Sequence, residues 1–234
     1  MILVTGASEG IGLACARALL ERTDAELLLT GRRADALERA REQLCDGLSA
    51  RIRTFVCDQA RAFDVEALIA LIACEPRLLE GAILTVGVNP RYQVGPLRLD
   101  AMGRDTLEDT VRTNCTHTLR LSAALLGRLR RQRSGVLAWI GSRGARVGLP
   151  GAAVYCATKS FLSGLAAASH REYAGRGVRV HLLHPGLVRT PRTQAIADDF
   201  AAKWGIAVAE ACDVASRIVD VFLTGNGAEV EQDV

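Results

Sequence analysis

The chain has 234 residues, 49% of them hydrophobic and 24% charged, with a formal net charge of +3. That balance excludes a disordered chain, a collagen and a disulfide scaffold, and it leaves enough apolar residues to bury one large core. The charge is too small, and the aromatic share of 4% too low, for the basic, aromatic-studded footprint of a nucleic-acid binder. Apolar runs are short, far below the ~20 residues that span a bilayer, so a membrane is not an expected partner. The opening Met1-Ile2-Leu3-Val4 carries no charged leader region, and a cytoplasmic location is expected. Seven scattered cysteines with no C-x-x-C pair read as reduced thiols, with no metal site.

In chain order, apolar runs rich in Val, Ile and Leu predict strands at Ile2–Thr5, Leu27–Thr30, Ile52–Cys57, Ala82–Val86, Val136–Ile140 and Val178–Leu183. Between them, helical patterns fall at Ile11–Arg22, Ala34–Leu44, Val65–Cys74, Leu107–Gln132, Ala152–Ala174 and Cys212–Leu223. Unbroken apolar strands separated by helices imply parallel strands covered on both faces. The expected fold is therefore α/β, a single-domain Rossmann-type doubly wound parallel sheet over residues 1–234. A last strand candidate, Ala228–Val234, joins as an edge if it joins at all, and Asp198–Trp204 reads as a short lid helix with Phe200 and Trp204 on one side.

Thr5-Gly6-Ala7-Ser8-Glu9-Gly10-Ile11-Gly12 lies between the first strand and the first helix. Glycines there allow a tight turn and close backbone approach to a pyrophosphate, and the free amides at the helix start favour an anion. After the second strand comes Thr30-Gly31-Arg32-Arg33. An acidic residue at this place would bind a ribose hydroxyl, whereas guanidinium groups suit a 2′-phosphate, so Arg32 and Arg33 point to NADP(H) over NAD(H). Glu9 is a mild counter-signal, since a carboxylate adds no affinity for a nearby phosphate.

Tyr155-Cys156-Ala157-Thr158-Lys159 sets a phenol and an ammonium four residues apart, on one helix face. A fixed cation beside a tyrosine favours phenolate, so Lys159 is expected to lower the pKa of Tyr155 and let it pass a proton to or from a substrate oxygen. Twenty-seven of the 29 basic residues are arginine, and Lys159 is one of two lysines, which marks a position wanting a compact ammonium. Ser142 closes the fifth strand thirteen residues before Tyr155.

The spacing Gly6…Gly10…Gly12 together with Ser142, Tyr155 and Lys159 resembles the short-chain dehydrogenase/reductase family from Val4 to about Leu223. The resemblance implies that Ser142 hydrogen-bonds the substrate oxygen, that Tyr155 is the general acid/base, and that Lys159 also holds the nicotinamide ribose. It implies that Asn114 bends the long helix and holds a water of the proton relay. It also implies that Asp58 contacts the adenine, its alternative being a helix N-cap, and that Pro185, Gly186, Val188 and Thr190 contact the nicotinamide end of the cofactor. Gly6, Ser8, Gly10, Ile11 and Gly12 would cradle the phosphates. The family's Asn-Ala-Gly after the fourth strand reads Thr85-Val86-Gly87 here; Gly87 keeps a cofactor-side place.

The activity expected is interconversion of a ketone and a secondary alcohol. The alternatives are oxidation of a β-hydroxyacyl group, free or borne on a carrier protein, and a non-catalytic nucleotide-binding or partner subunit. Segments 89–97, 143–150 and 191–210 follow strand ends and should form the substrate side. The resemblance further implies a homodimer or homotetramer.

Overall fold

In the computed structural model the chain runs β1 (Ile2–Thr5), α1 (Gly10–Arg22), β2 (Leu27–Gly31), α2 (Ala34–Leu44), β3 (Ile52–Val56), α3 (Ala62–Cys74) and β4 (Gly81–Leu84). It continues through α4 (Arg91–Val94), α5 (Arg104–Val111), α6 (Thr118–Gln132), β5 (Gly135–Ile140), α7 (Gly144–Val147), α8 (Ala153–Tyr173) and β6 (Val178–His184). Last come β7 (Leu187–Arg189), α9 (Gln194–Trp204), β8 (Val208–Glu210), α10 (Ala211–Thr224) and β9 (Glu231–Asp233). The structure describes residues 1–44, 49–204, 207–225 and 231–234, without the side chains at positions 49, 195, 200, 201, 203 and 204.

Seven strands form one parallel sheet in the order β3-β2-β1-β4-β5-β6-β9, while β7 and β8 pair separately. The strand order reverses between β1 and β4, which opens a crevice at the carboxyl ends of the strands, the place where such sheets bind ligands. Alternate strand residues face opposite cores. Ile2, Val4, Leu27 and Leu29 pack with Leu19, Leu37 and Ile218 from α1, α2 and α10. Met1, Leu3 and Leu28 pack with Leu68, Leu125 and Leu162 from α3, α6 and α8. Each such side chain, fully buried, contributes roughly 1.5–3 kcal/mol, which is why the strands are apolar on both faces. Trp139 is fully buried in β5, and its indole N–H is satisfied by Ser122 Oγ at 2.9 Å.

Four expectations are refined. The fourth strand ends at Leu84 because the Thr85 hydroxyl turns back to donate to Thr5 O at 2.6 Å. The long helix expected over Leu107–Gln132 is interrupted by a π-turn at Arg112–His117 that contains Asn114; such wide turns gather at functional sites. β9 occupies Glu231–Asp233 of the expected last strand and pairs with β6 at the sheet edge, while residues 228–230 lie outside the described ones. The lid segment falls inside α9, and the side chains of Phe200 and Trp204 are likewise outside the description. Among the described residues no helix is long and apolar enough to cross a membrane.

Candidate active site

The turn from β1 to α1 is shaped by glycine. Gly6 and Gly10 stand at φ 63° and 58°, a region costly for side chains with a Cβ. A Cβ on Gly12 would collide with the Gly6 carbonyl, and one on Gly6 would stand 2.7 Å from Thr85 Oγ1. The helix begins without a side-chain cap from Glu9, so its first amides remain available to an anion. Ile11 packs against the core from the first turn. Ala7 N–H donates to Thr30 O at 2.9 Å, and Ser8 packs directly against Gly31, where a Cβ would meet its side chain at 3.3 Å. Arg32 and Arg33 follow, both exposed, with Arg33 3.9 Å from Glu9. Further along the same edge, Cys57 N–H donates to Gly31 O at 2.9 Å and leads to Asp58. Asp58 accepts from Ala60 N–H at 3.0 Å, and because α3 starts only after Arg61 it caps no helix.

On the other side of the crevice Lys159 is almost wholly buried, 4% exposed, and donates to Ile140 O at 2.7 Å. Gly87 makes room for it: a Cβ there would stand 2.8 Å from Nζ. The ammonium lies 5.9 Å from the Tyr155 ring centre. Asn114, buried in the π-turn, is held by Val88 twice, accepting from its N–H and donating to its carbonyl, each at 2.8 Å, and it donates to Thr158 at 3.0 Å. Ser142 Oγ accepts from Gly144 N–H at 3.1 Å. Sequence reasoning placed Asn114, Ser142, Tyr155 and Lys159 in one site, and the fold gathers their elements at one edge of the sheet.

One expectation is corrected. The pKa of Tyr155 is raised, not lowered. Burial pushes the phenol up to about 12, opposed by a hydrogen bond from Ser142, with Tyr92 and Cys156 raising it further and Arg192 lowering it. Burial likewise pushes Lys159 down to about 8. Desolvation thus outweighs the pairing that spacing alone suggested, and Tyr155 stands as a neutral acid at neutral pH.

Pro185 and Gly186 turn the chain out of β6, Val188 is buried in β7, and Thr190 faces the glycine turn, 3.1 Å from where a Gly10 Cβ would be. Arg192, which sequence reasoning missed, donates to Gly87 O and to Glu9, each at 3.3 Å. It ties the segment after β7 to both the fourth-strand turn and the glycine turn. Glu9 is therefore an ion-pair partner, and no local signal joins residues 183 positions apart.

The short chain dehydrogenase family model matches residues 1–201. The chain belongs to this family. Among curated members, the 3-oxoacyl-[acyl-carrier-protein] reductase of Salmonella typhimurium is 30% identical over 84% of this chain and 77% of its own. A 2-(S)-hydroxypropyl-CoM dehydrogenase of Xanthobacter autotrophicus is 32% identical over 80% of this chain and 71% of its own. Among solved short-chain dehydrogenases, a 3-oxoacyl-[acyl-carrier protein] reductase from Brucella melitensis superposes with a TM-score of 0.88 at 25% identity, covering 100% of this chain and 88% of that one.

Two outcomes follow from this geometry. Gly12→Ala should destabilise the fold by roughly 1–3 kcal/mol in chemical denaturation, because its methyl group has no space beside Gly6; an unchanged midpoint contradicts the packing. Lys159 binds its proton less tightly folded than unfolded, so below about pH 8 the folded state carries the whole burden of the buried charge. Between about pH 8 and the ordinary lysine value of 10.5 the folded chain releases its proton first, and stability rises with pH. Lys159→Met should accordingly be more stable than the parent at neutral pH, on the order of 1–2 kcal/mol after loss of the Ile140 hydrogen bond, with the difference closing as pH climbs through that window. Denaturation midpoints of the two proteins at several pH values check it, and a constant difference would count against a buried charge.

Proposed function

We propose that the protein is an NADP(H)-dependent ketoreductase that interconverts a ketone and a secondary alcohol, working in the direction of reduction. The observation that carries this reading is a neutral tyrosine acid, Tyr155, beside a buried ammonium, Lys159, at the crevice of the sheet. The crevice fits a nicotinamide dinucleotide: Gly6, Gly10 and Gly12 leave a backbone cradle that a Cβ would fill, and Gly87 leaves space over Lys159. Gly6, Ser8, Gly10, Ile11 and Gly12 would hold the phosphates, Arg32 and Arg33 the 2′-phosphate, and Asp58 the adenine. Gly87, Lys159, Pro185, Gly186, Val188 and Thr190 would hold the nicotinamide end. The dinucleotide, when bound, supplies the hydride.

The chain's own residues supply position and proton. Ser142 donates its hydroxyl hydrogen to the substrate oxygen and fixes it near Tyr155. Tyr155 Oη gives its proton to that oxygen as negative charge gathers there. Lys159, whose value near 8 leaves it mostly protonated at neutral pH, takes up part of the negative charge left on the phenolate as the proton departs. Asn114 locks the turn after β4 through Val88 and, in its π-turn, holds a water of the proton relay. The reverse oxidation needs the phenolate, so it should be favoured at alkaline pH and reduction at neutral pH.

Segments 89–97, 143–150 and 191–210 would form the substrate side; residues 205 and 206 of the last lie outside the described ones. Arg91 of the first donates to Pro150 O of the second at 3.0 Å, and Arg192 of the third reaches the turn after β4. Similarity to 3-oxoacyl-[acyl-carrier-protein] reductases favours a β-keto thioester, free or presented by a carrier protein. Exposed Val111 and Leu119 beside the π-turn support self-association through α5, α6 and α8.

Tyr155→Phe tests the reading. With NADPH and an acetoacetyl thioester, turnover should fall on the order of 10²- to 10⁴-fold while NADPH binding by fluorescence is kept. Full turnover in this variant would defeat the mechanism, and absence of turnover in the parent would return the non-catalytic subunit to consideration.

A further inference from the structure

The last ring of β6, His184, is fully buried and joins two groups that sequence places far apart. Its Nε2 lies 2.5 Å from Glu231 Oε1 on β9, and its Nδ1 lies 3.1 Å from Ser142 N and 2.9 Å from Ser142 O. The sheet register explains the first contact. Glu231 stands opposite Leu182, so it shares a sheet face with His184 two residues on. Gly141 explains the second, because a Cβ there would stand 2.6 Å from Nδ1 and hold the ring away from the backbone. The same carboxylate oxygen accepts from Ser163 of α8 at 3.0 Å and from Arg146 of α7 at 3.3 Å, and Arg146 also donates to Asp233 at 3.1 Å. Burial works against the charged form of Glu231, but the hydrogen bonds from Ser163 and Arg146 and the adjoining His184 ring hold its carboxyl below the usual range.

From this arrangement we propose that Glu231 is a positioning residue for Ser142, acting through His184. An ionised carboxylate only accepts, so Nε2 carries a hydrogen towards Glu231, and Nδ1 meets both the N–H and the carbonyl oxygen of the Ser142 backbone. That contact holds the Ser142–Gly144 turn, in which Gly144 N–H in turn holds the serine hydroxyl. Arg146 draws the following short helix to the same strand. A chain segment at the far edge of the sheet thus sets the orientation of the serine that meets the substrate oxygen. The inference rests on the reductase reading of Ser142.

The test compares the parent protein with Glu231→Leu and Glu231→Gln. Three quantities are read: kcat and KM for an acetoacetyl thioester with NADPH, the NADPH dissociation constant, and ring ¹⁵N shifts in protein labelled at histidine, with His184 assigned by its loss in His184→Phe. The parent should show His184 with hydrogen on Nε2. Glu231→Leu should lose that signature and lower kcat by about tenfold or more, with NADPH affinity kept within about twofold. Glu231→Gln retains an accepting oxygen and should recover the tautomer and most of the rate. An Nε2 without hydrogen in the parent overturns the inference, as does parental kcat in Glu231→Leu or a parallel fall in kcat and NADPH affinity. If the parent itself reduces no carbonyl, the reductase reading falls and this inference with it; an active parent with an indifferent Glu231→Leu removes the inference alone.

Discussion

A lysine ammonium held almost entirely out of water is the constraint from which the rest of the site follows. Burying such a charge without partners is strongly unfavourable, and Lys159 meets it with a single described protein acceptor, the Ile140 carbonyl at the end of β5. The position requires a glycine at 87 to leave space, a strand ending at 140 to offer its carbonyl, and a helix that brings Tyr155 one turn before the lysine. Burial also sets the two proton affinities in opposite directions, up for the phenol and down for the ammonium. In the proposed mechanism Tyr155 gives the proton and the neighbouring cation takes up part of the charge that remains.

The parallel sheet makes this local arrangement useful. Because the strands of the main sheet run the same way, the glycine turn after β1, the basic pair after β2, Asp58 after β3, Gly87 after β4, Ser142 after β5 and Pro185 after β6 all emerge on one edge. The reversal of strand order between β1 and β4 opens that edge into a crevice. Contacts across it are polar and adjustable: Arg192 joins Glu9 to the turn at Gly87, and the half-exposed character of these ion pairs means each adds little stability of its own. Rigid packing lies beneath, in the two apolar layers on either side of the sheet.

Much of this was legible in the chain itself. Apolar runs that do not alternate announced buried parallel strands, and the glycine spacing after the first of them announced the cradle. The Tyr155-to-Lys159 spacing placed both groups on one helix face. What escaped was what spacing does not encode. Desolvation of Tyr155 depends on everything packed around it, so the expected lowering by Lys159 became a rise. The bonds from Glu231 to His184 and from Arg192 to Glu9 join residues 47 and 183 positions apart, with no periodicity to betray them. Thr85 in place of asparagine reads as a departure, yet the fold gives it work, since its hydroxyl bonds the last carbonyl of β1.

The central claim is that this edge holds a phosphorylated nicotinamide dinucleotide, with the two arginines after β2 reading its extra phosphate. Fluorescence titration of the protein with NADPH and, separately, with NADH tests it most directly, repeated on Arg32→Asp. The account requires NADPH to bind at least about tenfold more tightly than NADH, with the preference lost or reversed in the variant. Equal affinities unaffected by the substitution would contradict the assignment of Arg32, and failure of either dinucleotide to bind would contradict the account as a whole.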